Sequence, residues 1–121
     1  MLLALAFLLA GVELEAEAKV RGRTLDVNIR VVNEGAPFTM IFPSMQIYDM
    51  ELAPGELRWS GDRMFAQVLC ERRIPSGAWR MRERWRLPPT IKPGGYKLRV
   101  WLTHQGTPLE TTVDITIPEP R

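Results

Sequence analysis

One thiol and one imidazole bound the chemistry this chain can do. Cys70 and His104 are the only cysteine and the only histidine in 121 residues. No internal disulfide can form, and a zinc cluster of the usual Cys/His kinds cannot be assembled. Nucleophilic catalysis needs a thiol or hydroxyl beside a base. His104 falls at the end of an apolar-alternating segment, next to the turn Gln105-Gly106-Thr107-Pro108, and reads as an exposed turn residue. Cys70 reads as a small buried hydrophobe. Asp49, Glu51 and Asp62 could supply paired carboxylates if the fold brought them together, but nothing in their spacing asks for it. There is no phosphate loop, dinucleotide fingerprint or metal-ligand motif. The expectation is a chain that is not an enzyme and takes no cofactor.

The most unusual charge pattern is a run of arginines. Arg80, Arg82, Arg84 and Arg86 recur at every second position, so an extended chain sets all four on one face. Lys97 and Arg99 could extend that basic face on a neighbouring strand. Such a face suits an anionic partner, nucleic acid included. It suits equally well a solvated sheet face paired across strands with carboxylates. Glu13, Glu15 and Glu17 form the matching acidic stripe, and the formal net charge is only +2. A near-neutral chain favours pairing, and nucleic acid ranks last among the partners considered. Stripes lying side by side would both be structural; stripes on different sheets would leave the basic face as a candidate site.

The elements that must carry these residues follow from hydrophobic periodicity. Val12, Leu14, Ala16, Ala18 and Val20 alternate with Glu13, Glu15, Glu17 and Lys19, a strict period of two. Leu25, Val27, Ile29 and Val31 alternate with Asp26, Asn28 and Arg30, and the link Arg21-Gly22-Arg23 makes the two segments a hairpin. Further short strands are expected over 38–42, 46–52 and 57–60, each stopped by proline or glycine. Residues 64–69 fit a strand or a helical turn equally. Trp79, Met81, Trp85 and Leu87 form the apolar side of the arginine-bearing strand, with Glu83 interrupting it. Leu98, Val100 and Leu102, then Val113, Ile115 and Ile117, mark the last two strands. The fold class expected is all-β, an antiparallel β-sandwich of seven to nine strands. Hydrophobic residues at 45% and charged residues at 25% are ordinary for a globular chain, and one domain over 12–118 is the economical reading.

Residues 1–11, MLLALAFLLAG, stand apart. They carry no charge and are too short for a confident membrane span. Three readings stay open: a signal or anchor segment without its usual basic start, a wrongly chosen translation start, or a buried apolar strand or helix. Any membrane association is expected only through this segment.

Between Asn33 and Trp101 the motifs Phe42-Pro43-Ser44, Gln46, Tyr48-Asp49, Trp59-Ser60, Phe65-Ala66-Gln67 and Pro93-Gly94-Gly95-Tyr96 follow in that order. With this combination the chain resembles the bacterial intracellular proteinase inhibitor (BsuPI) family. It departs from the family at Met45, where glycine is usual before the glutamine. The resemblance implies an immunoglobulin-like sandwich, a cytoplasmic location and inhibition of a subtilisin-type serine protease. A signal at residues 1–11 would instead place the chain outside the cytoplasm, where an adhesion or accessory domain binding a cell-surface component is the alternative.

The expected partner is therefore a protein, possessed of a cleft into which a rigid loop is inserted. The loop first chosen is Arg72, Arg73, Ile74, Pro75 and Ser76, because it is charged, precedes a turn and contains a stiffening proline. The second is the loop from Phe42 to Gln46. Tyr48 and Asp49 are expected to hydrogen-bond a corner of the sandwich, with Trp59 and Phe65 filling its core.

Overall fold

A computed structural model describes residues 11–120. The expectations for the apolar segment 1–11 fall almost wholly outside these residues. Nine strands follow in order: β1 (Val12–Arg21), β2 (Thr24–Asn33), β3 (Phe38–Phe42), β4 (Tyr48–Ala53), β5 (Leu57–Arg58), β6 (Cys70–Ile74), β7 (Gly77–Arg86), β8 (Gly94–Leu102) and β9 (Glu110–Ile117). A 3-10 turn, Trp59–Asp62, follows β5. They form three antiparallel sheets, ordered β1-β2-β7, β3-β6 and β5-β4-β8-β9.

The alternation read in the sequence is the alternation of burial. Leu25, Val27, Ile29 and Val31 are fully enclosed on β2, while Met50 and Leu52 on β4 and Leu98 and Val100 on β8 face them from the other large sheet. Phe42 and Ile74 from the small sheet complete the same cluster. The β1–β2 hairpin turns on Gly22 and Arg23, with Arg21 opposite Thr24. Gly22 sits at φ +60°, where the first central residue of a type II′ turn calls for glycine.

Three local expectations differ. Residues 59–60 leave the strand for the 3-10 turn, because Ser60 is drawn onto the carboxylate of Asp49. Cys70–Ile74 is a strand inside a stretch whose periodicity decided nothing; its ladder to β3 joins Phe42 to Cys70 and Phe38 to Ile74. The consecutive strands β7 and β8 lie in different sheets. Lys97 and Arg99 therefore do not extend the arginine run: Lys97 pairs with Asp114 at 2.8 Å, and Arg99 with Glu110 at 3.1 Å.

Candidate functional site

The arginine run and the glutamate run lie in one sheet, separated only by β2. Arg84 stands opposite Asp26 and donates to it at 3.2 Å, while Arg82 and Arg21 approach the same carboxylate at 3.8 and 3.9 Å. Arg30, in the middle strand, pairs with Glu15 at 2.6 Å and faces Arg80. Arg86 sits opposite Thr24. The hydrogen bond from Arg84 holds the Asp26 carboxyl below its ordinary range, with burial opposing and the charges of Arg84, Arg82 and Arg21 adding. Cross-strand pairing thus engages Arg82 and Arg84, two of the four arginines of the stripe.

The residues singled out for partner contact divide. Phe42 is fully enclosed, with its ring edge-on to Trp79 and to His104, so it presents no surface. Gln46 is half-buried; its side-chain amide donates to the Tyr48 carbonyl, and its own carbonyl accepts from Thr103. Arg72, Arg73 and Ile74 lie in the β6 ladder rather than in a loop, and Ile74 is enclosed. Arg72 and Arg73 remain exposed. Pro75 and Ser76 form the turn that follows: the Pro75 carbonyl accepts from Asn33, and the Ser76 hydroxyl donates to Gly35. His104 is half-buried against Phe42, with Nε2 at 2.8 Å from the Thr107 carbonyl.

A different region stands out. Among the described residues, the exposed large apolar side chains are Ile41 (37%), Met45 (46%), Met64 (98%), Val68 (57%) and Leu69 (61%). A few contacts join the segments that carry them, and Met45 and Met64 line one cleft. The Met45 amide donates to the Ala66 carbonyl at 2.9 Å, Cys70 Sγ lies 3.1 Å from Met45 Sδ, and Ile41 pairs with Glu71. Sequence reasoning missed this cluster because residues 64–69 carry no periodicity. The signal available was a run without charge, Met64 to Leu69, between charged flanks.

Beneath this segment lies an open cleft of about 430 Å³, lined by Met45, Ile47, Tyr48, Trp59, Phe65 and Glu83 among others. Its floor is a stack of aromatic rings, with Tyr48 at 5.1 Å and Phe65 at 5.7 Å from Trp59. Arg63 covers the Trp59 ring at 4.5 Å and donates to the Trp59 carbonyl at 2.7 Å. The Tyr48 phenol donates to Glu83 across the two sheets. Burial, then the hydrogen bond and charge of Glu83, push that phenol well above its ordinary range. Behind the stack, Asp49 accepts from the Met50 amide and from both the amide and hydroxyl of Ser60. The motif residues Tyr48, Asp49, Trp59, Ser60 and Phe65 thus hold this end of the molecule in shape. Among the described residues no group of three or more His, Cys, Asp or Glu converges as a metal site would require.

With the strand order and this motif-built end in view, the comparisons are decisive on family. The model of a family described as "BsuPI: Intracellular proteinase inhibitor" matches residues 12–107. The chain belongs to this family. The family description names proteinase inhibition and no particular enzyme. No curated protein matches the chain. Among solved structures, the chain is similar to the crystal structure of Spo0M, a sporulation control protein from Bacillus subtilis, at a TM-score of 0.56 and 14% identity. That likeness covers 88% of the chain but spans about half, 49%, of the other protein, and it speaks for the fold alone.

Proposed function

We propose that this BsuPI-family chain is a protein-binding β-sandwich that inhibits a subtilisin-type serine protease. The observation that carries the reading is the set of exposed apolar side chains Ile41, Met45, Met64, Val68 and Leu69, of which Met45 and Met64 line one cleft. Single exposed apolar residues are ordinary, but several on neighbouring segments beside a cleft mark a contact surface. Methionine is enriched in the buried centres of interfaces, where charge is depleted. Here the run Met64 to Leu69 carries no charge, and charged residues, Glu71, Arg72 and Arg73, follow it exposed on β6. Family membership supplies the kind of partner, a protease. The molecule acts by occupying the enzyme and performs no chemistry of its own.

A protease inhibitor of this kind buries about 800 Å² of its own surface. Titration of a subtilisin-type protease with the purified chain tests the reading directly. The expected result is saturable inhibition at micromolar concentration or below. Absence of inhibition at that concentration, or simple turnover of the chain as a substrate, would overturn it.

A further inference from the structure

We propose that residues 63–69 are the segment that enters the protease cleft, and that Met64 fills an apolar primary specificity pocket there. The proposal rests on the inhibitory reading and adds which side chain does the work and which class of protease accepts it.

The geometry around Met64 is that of a presented side chain. Arg63 has extended backbone angles, φ −118° and ψ 149°. Its guanidinium folds back over Trp59 at 4.5 Å. Phe65 also turns back, with its ring 5.7 Å from Trp59. Alternation along extended chain then directs Met64 between them to solvent, and it is 98% exposed. Two residues on, the Ala66 carbonyl is held by the Met45 amide. The two neighbours of Met64 are thus clamped to one buried tryptophan while the Met64 side chain stands in solvent at the edge of the cleft.

Clamping matters because ordering a loop on binding subtracts from affinity. Among the described residues the backbone of Met64 is hydrogen-bonded to no other backbone group, which leaves its amide and carbonyl available to pair with a protease strand. From Met64 to Leu69 the chain carries no charge, so it can enter an apolar cleft without leaving an ion buried and unpaired. Arg73 is committed to the β3–β6 ladder opposite Thr39. It is therefore badly placed to reach the deep pocket of an arginine-specific protease, and selectivity should follow Met64.

The test compares inhibition of subtilisin and of trypsin by the full chain and three variants. Because Met64 is almost fully exposed, its substitution leaves folding nearly unchanged, which circular dichroism and thermal unfolding check. The wild-type chain and M64L should inhibit subtilisin similarly, and neither should inhibit trypsin. M64D should weaken subtilisin inhibition by at least about 30-fold, as expected when an anchor residue is lost. M64K should gain inhibition of trypsin. Subtilisin whose primary pocket is already filled by a covalent peptide inhibitor should no longer bind the chain. If the wild-type chain inhibits subtilisin but M64D does so equally well, the assignment to Met64 falls while the inhibitory reading stands. If the wild-type chain inhibits neither enzyme, both fall.

Discussion

The phenol of Tyr48 on β4 donates a 2.5 Å hydrogen bond to the carboxylate of Glu83 on β7, joining the two large sheets. Glu83 is the one charged residue on the apolar side of its strand, and this bond is why the sequence can place it there. Tyr48 in turn stacks on Trp59, the residue on which Arg63 and Phe65 rest. A continuous line of contacts therefore runs from the sheet-to-sheet bond to the exposed segment at the end of the sandwich.

Removal of the hydroxyl in Y48F should destabilise the protein by about 1–2 kcal/mol, towards the lower end for a hydrogen bond to a charged group because both residues keep some contact with water. E83Q retains an acceptor for the phenol and should cost less. Urea unfolding of the two variants and the double variant gives the coupling directly. Additive losses would mean that the two groups do not support each other.

The same pair fixes an alkaline limit. Burial and Glu83 hold the Tyr48 phenol above its ordinary value of 10.0 in the folded state. Above that value the unfolded chain releases a proton that the native chain keeps, so the contribution is intact below pH 10.0 and is lost as pH rises beyond it. Unfolding midpoints should fall more steeply between about pH 9 and about pH 11 in the wild type than in Y48F. Equal slopes would contradict the assignment.

On the acid side the sign reverses. Asp26 is held below its ordinary value of 3.8 chiefly by the hydrogen bond from Arg84, with Arg82 and Arg21 assisting against the opposing effect of burial. Its contribution is complete above that value and is lost as pH falls towards the lowered native one. D26N should lower stability at about pH 7 and flatten the loss between about pH 4 and about pH 2. An unchanged acid profile would show that the arginines do not act on Asp26.

Asp49 holds the 3-10 turn through the amide and hydroxyl of Ser60. D49A strands three donors, counting the Met50 amide, and should cost about 2–4 kcal/mol, whereas S60A removes one hydroxyl and should cost about 1 kcal/mol. Thermal unfolding distinguishes them. Equal losses would place the importance of Asp49 elsewhere.

Strict alternation made the two hairpin strands legible, because in each a single face is buried and any slip of register would expose Val27 or Ile29. The run Phe38–Phe42 was equally readable, bounded as it is by proline on either side. Periodicity could not reveal β6, where Arg72 and Arg73 occupy a ladder that only the remote strand β3 makes intelligible. Nor could it separate structural from exposed residues within the family motif. Phe42 and Gln46 bound a candidate contact loop in sequence, yet one fills the core and the other is tied to Tyr48 and Thr103. The exposure of Met64 depends on Trp59 capturing both of its neighbours, a relationship across the fold that spacing along the chain does not encode.

Amide hydrogen exchange of the chain, alone and with a saturating subtilisin-type protease, tests most directly whether that end of the sandwich is the binding surface. The account predicts new protection over residues 63–69 and around Ile41 and Met45, with the arginine-bearing face of β7 unchanged. Protection confined to β7, or none on either surface, would contradict it.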